Sequence, residues 1–187
     1  MASPTAEDYR KAHLPHRVGV MRALLPHLDR VLATKSAAPL RQSTFCAMKE
    51  GALITMRSLL FTLGARHTKD TDLSLGPPKR RDDDCPTNPL RPGGPIFKCA
   101  HLKESDFSAT FPQRKLLVDI LNAGSRAAAH LVSDKTKIDH NIDEHRLKEA
   151  ILFVSDLVRT RIYDVNVGWD WNDFLEAERQ DHAVGQY

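Results

Sequence analysis

The sequence predicts an all-α fold, a four- to five-helix bundle carrying a long Pro-rich irregular insertion. Three observations predict it. Apolar residues recur at intervals of three and four through most of the chain. Capping residues and prolines fall where these runs begin and break. No stretch alternates apolar and polar residues as a half-buried strand would. The whole chain, residues 1–187, reads as a single helical domain, with residues 66–109 as an irregular Pro/Gly-rich insertion within it.

The first helical path starts at Thr5, a good N-cap residue followed by the first-turn acids Glu7 and Asp8. Val18, Met21, Leu24, Leu25, Leu28, Val31 and Leu32 carry helical spacing onward to about Lys35. Pro15 is expected to separate a short leading helix from the main one, and Pro26 to kink or divide the rest. Ser36–Pro39 reads as a connector. From about Arg41 to Leu63, Phe45, Met48, Ala52, Met56, Leu59, Leu60 and Leu63 fall on one side of a helix, and Gly64 closes it as C′.

Residues 66–109 differ in kind. They hold Pro77, Pro78, Pro86, Pro89, Pro92 and Pro95 with Gly76, Gly93 and Gly94, and the run Lys79–Asp84 is three cations followed by three anions. No apolar period survives, so an excursion is expected here, with a short helical turn around His101–Phe107. Thr110 as cap, Pro112 in the first turn and Gln113 at the capping-box position then start the next helix. Its buried face is Leu117, Ile120, Leu121, Gly124, Ala128 and Leu131. Asn141 or Asp143 caps a further helix with Leu147, Ile151, Val154, Val158 and Ile162 inward. Asp164–Gly168 breaks it, and Asp170 or Asn172 opens a short last helix with Trp171, Phe174 and Leu175.

Composition excludes several classes. The 27 basic residues exceed the 24 acidic by a net charge of +3, which permits nucleic acid as a partner without demanding it. No apolar run approaches the roughly 18 residues of a membrane span, so no membrane partner is expected. The opening residues MASPTAEDYRK hold no apolar core of a secretory signal. Three cysteines are too few and odd in number for a disulfide framework. The expected location is cytoplasmic. No P-loop, GxSxG or GxGxxG motif is present, and no cofactor is called for.

The strongest chemical pattern lies on the helix that starts near Pro112. Asp119, Asn122, Arg126 and His130 occupy an arc of about 80° at helical spacing. Nearly opposite the apolar face, such a stripe reads first as an ordinary solvated surface. Ala123, Ala127, Ala128 and Ala129 surround it with small side chains, which admit a neighbouring helix or subunit closely. In that setting Arg126 suits charge on a phosphate, and His130 suits proton exchange near neutral pH.

The segment Asn122–Leu131, NAGSRAAAHL, late in a helical domain, resembles the signature region of HEPN-type domains. The likeness extends loosely to Met56–Phe61 and to the order of helices. It implies a small, often dimeric helical bundle, and a metal-independent RNA endonuclease of a toxin–antitoxin or phage-defence system. It further implies Arg126 and His130 as the catalytic pair, meeting their counterparts across a homodimer, with Asn122 in support. RNA and an antitoxin or other protein are the partners that follow. Three residues separate Arg126 from His130, one fewer than the family's usual spacing, yet i, i+4 keeps both on one face. The other expectation is a non-enzymatic helical interaction or dimerisation module, with the alanine-lined stripe as its interface and the excursion as a docking arm.

Four smaller patterns carry plainer readings. His67, Cys85, Cys99 and His101 are the right residue types for zinc, but Cys85 and Cys99 are 14 positions apart with no CxxC, so they read as scattered loop residues and no metal is assigned. Glu50 and Arg57 flank the second apolar face and suggest a structural ion pair, or a role beside Arg126 and His130. Lys79, Arg80 and Arg81, with Arg91 and Lys98, form a basic loop whose field Asp82, Asp83 and Asp84 largely cancel. Trp169 and Trp171 read as packing over the end of the bundle.

Overall fold

The computed structural model describes residues 4–34, 42–68, 72–78, 85–91, 93–107, 112–130 and 142–172. Helices dominate: α1 (Ala6–Asp8), α2 (Leu14–Arg22), α3 (Leu25–Thr34), α4 (Gln42–Thr62), α5 (Pro112–His130) and α6 (Glu144–Val158). The fold is therefore mostly helical. It is not purely so, because Ala65–Thr68 (β1) and Asp72–Leu75 (β2) form an antiparallel hairpin in which His67 faces Leu73. That pair corrects the expectation of no strand. Four residues are too few for a period of two to register, and among the side chains described there Ala65 and Leu73 are buried.

The N-terminal path begins as expected. Thr5 Oγ1 accepts from the Asp8 backbone N–H while the Asp8 carboxylate accepts from the Thr5 backbone N–H, a reciprocal capping box. Pro15 does not end the helix as anticipated. The chain widens into a π-helical turn over Tyr9–His13 and runs straight on into α2. The reason is local. Proline has no N–H, so residue 15 cannot donate back to the Arg10 carbonyl at π spacing. The hydroxyl of Tyr163, itself in a second π-turn over Arg159–Tyr163, donates to that carbonyl at 3.1 Å. Two widened turns thus meet across the fold. The path divides only at Ala23–Leu24, with Pro26 in the first turn of α3, where its missing donor costs nothing.

Helix α4 is the hub, packed by α2, α5 and α6. Leu53, Met56 and Leu60 of α4 are fully buried with Val18 and Met21 of α2, Ile120 of α5, and Ile151 and Val154 of α6. The α4–α5 crossing is close because residue 124 is glycine. A Cβ there would sit 2.7 Å from the Leu53 carbonyl oxygen and 2.7 Å from the Arg57 Cβ. Asp143 is the cap of α6, its Oδ1 accepting from the Arg146 N–H at 2.8 Å. At the far end of α4, Gly64 adopts φ +89°, and the Gly76 N–H closes the hairpin on its carbonyl at 3.1 Å. Any side chain at Gly64 would collide with the Gly76 carbonyl.

The segment from residue 85 to residue 103 has no regular element but is laced to the helices. Ala100 N–H donates to the Arg161 carbonyl at 2.8 Å, and Leu102 N–H to the Leu63 carbonyl at 2.9 Å. Asn166 clamps Lys98, its Oδ1 accepting the Lys98 N–H at 3.0 Å and its Nδ2 donating to the Lys98 carbonyl at 2.8 Å. A single 3₁₀ turn follows at Glu104–Asp106, where a short helical turn was expected. Trp169 and Trp171 pack against Tyr163, at centroid distances of 5.4 and 5.1 Å, and cover the end of the core. Thr110, Leu131, Phe174 and Leu175, which the sequence assigns to a cap and to apolar faces, lie outside the described residues.

Candidate functional site

The polar stripe of α5 does not face bulk water along its whole length. Asp119 is turned to α6, where its Oδ2 takes an ion pair from Arg146 Nη2 at 2.6 Å and a longer one from Lys115 Nζ at 3.5 Å. Asn122 is half-buried, Ala123 and Ala127 are buried, and Arg126 is exposed. The stripe therefore starts as an α5–α6 contact and emerges at the surface two turns later. Of the small residues around it, Ala128 is half-buried. His130 closes α5 as its last helical residue. Its side chain lies outside the described residues.

Helix α4 meets α5 through Arg57. Arg57 is exposed, and its Nε donates to Ser125 Oγ at 3.0 Å. Ser125 precedes Arg126 in the chain, and Arg126 itself is exposed. The Gly124 approach makes this contact, since a side chain there would displace Arg57. Sequence spacing marks Arg57 as a flank residue but does not say which helix it meets. Glu50 is half-buried two turns away.

The second group of candidates converges on a residue the sequence does not single out. Thr87 is 3% exposed, and its hydroxyl donates to the Thr62 carbonyl at 2.9 Å, where α4 ends. His101 Nε2 lies 3.2 Å from that hydroxyl and Cys85 Sγ 3.4 Å from it, while Cys99 Sγ approaches the Thr62 carbonyl at 3.9 Å. A threonine in a Pro-rich run gives no signal of this role. Burial pushes the Cys99 thiol up to about 12, with nearby Cys85 adding to the shift, so it holds its proton at neutral pH. Burial, then the charge of Arg66, pulls the His101 imidazole below its usual value. The arrangement caps a helix C-terminus and pins the irregular segment to it. Among the described residues no three His, Cys, Asp or Glu side chains could hold a metal ion. His67 lies in β1 by its backbone, and its side chain is outside the described residues.

Of the basic loop, Lys79, Arg80 and Arg81 lie outside the described residues, while Lys98 is exposed and Arg91 half-buried. No described helix is long and apolar enough to cross a membrane. Comparison with family models, with curated proteins and with solved structures returns no match for this chain.

Proposed function

We propose that this chain is a HEPN-like protein, a bundle of four to five helices with its Pro-rich insertion, that cleaves RNA without a metal ion as a cytoplasmic toxin or phage-defence component. Arg126 stabilises charge on the scissile phosphate. His130 takes or gives the proton in attack by the ribose 2′-hydroxyl, and Asn122 supports them. The 2′-oxygen bonds to phosphorus as the bond to the 5′-oxygen breaks, and a proton reaches the leaving oxygen. The products carry 2′,3′-cyclic phosphate and 5′-hydroxyl ends. A homodimer sets two such helices against each other, and an antitoxin or other protein restrains them.

One observation carries this reading: Arg57 reaches Ser125 at 3.0 Å, beside the exposed Arg126. Guanidinium groups such as these suit a phosphate backbone. Arg126→Ala and His130→Ala should each abolish RNA cleavage or toxicity while leaving the helical circular dichroism unchanged. Full activity in either variant removes the assignment. A dimer that cleaves no RNA supports the interaction module instead.

A further inference from the structure

A separate cleft of about 200 Å³ lies on the other side of α4, between the α1–α2 path, the last turn of α4 and the segment around Pro86 and Phe97. Its character is set by Arg17 and His13, four positions apart on one helical path, and by the rings of Tyr9, Phe61 and Phe97. None of its lining residues is acidic. Arg17 Nη1 donates to Ser58 Oγ at 2.7 Å. A hydroxyl fixes the guanidinium in place without cancelling its charge, so the cleft keeps a positive end. No carboxylate among the described residues forms an ion pair with Arg17.

The opposite wall is aromatic. Tyr9 packs at a tilt against His13 at 4.9 Å and against Phe97 at 5.3 Å, and Phe97 is backed by Trp169 at 5.4 Å. Size then selects the ligand. An apolar cavity of roughly 150 Å³ accepts one benzene molecule, so about 200 Å³ admits one ring bearing a small acidic group. A base, ribose and phosphate together would extend beyond its walls. Charge at one end and aromatic walls at the other match a planar anion.

We propose that this cleft binds a small single-ring carboxylate, with the carboxylate on Arg17 and the ring against Tyr9 and Phe97. The site is independent of the RNA reading, since Ser58 turns to α2 where Arg57 turns to α5.

The test uses the full chain and benzoate as the probe. Trp169 touches the Phe97 wall, so tryptophan fluorescence reports occupancy. Benzoate should give a saturable change at millimolar concentration, and benzamide, the same shape without charge, should not. Arg17→Ala should weaken benzoate by about tenfold or more, the worth of a charge-assisted hydrogen bond. Equal responses to benzoate and benzamide, no saturable response to benzoate, or a folded Arg17→Ala protein that binds as the wild type does would each overturn the proposal. The benzamide comparison needs no variant, so it decides the matter even if Arg17→Ala fails to fold.

Discussion

Single residues set the closest approaches in this fold, and two glycines make the point by contrast. Gly51 and Gly124 are both inside helices, yet a Cβ at Gly51 meets nothing within 4 Å and one at Gly124 meets the Leu53 carbonyl at 2.7 Å. Alanine gains roughly 1 kcal/mol over glycine inside a helix. Gly51→Ala should realise that gain and raise the melting temperature by a few degrees. At Gly124 the clash is with backbone, and overpacking of this kind costs about 1–3 kcal/mol, so Gly124→Ala should melt lower than the wild type. Thermal denaturation of the two variants side by side checks both signs. Cys99 gives a chemical prediction at the same scale. Its thiol is raised from 9.0 to about 12 by burial, so the native state holds that proton more tightly than the unfolded chain does. The associated stability is intact below pH 9 and is lost as pH climbs toward 12. At pH 8, iodoacetamide should alkylate the exposed Cys46 in the folded protein and leave Cys99 untouched until denaturant is added.

Whole elements show where periodicity speaks and where it is silent. Helix α6 is legible because Leu147, Ile151, Val154 and Val158 repeat at helical spacing and are all buried. Gly64 is legible as the end of α4 because positive φ favours glycine. The hairpin is not, because four-residue strands with two buried side chains leave no pattern. The π-turns are not legible either, since they answer a partner far along the chain: Pro15 removes a donor, and Tyr163 supplies another. That account makes a coupled prediction. Tyr163→Phe should cost about 1–3 kcal/mol by removing the hydroxyl donor to the Arg10 carbonyl. Pro15→Ala restores an N–H at residue 15 and should recover part of that loss. Urea denaturation of the four proteins in the cycle measures it, and strict additivity would contradict the link between the two turns. On α5, the residue types of the site are readable from spacing, but the diversion of Asp119 to Arg146 and the arrival of Arg57 at Ser125 depend on helices distant in sequence.

At the scale of the molecule, helix α4 stands between the two proposed sites. The α4–α5 crossing presents arginine-bearing positions outward on the α5 side, and α4 carries Ser58 into a cationic, ring-walled cleft on the α2 side. With a net charge of only +3, the proposed RNA binding would draw on local cations more than on the field of the whole protein. Cleavage through Arg126 and His130 is the central claim, and product chemistry tests it most directly. Purified protein should cut RNA in EDTA to leave 2′,3′-cyclic phosphate and 5′-hydroxyl ends, and Arg126→Ala should leave the RNA intact. Uncut RNA with the wild-type protein, or the same ends produced equally by Arg126→Ala, would contradict it.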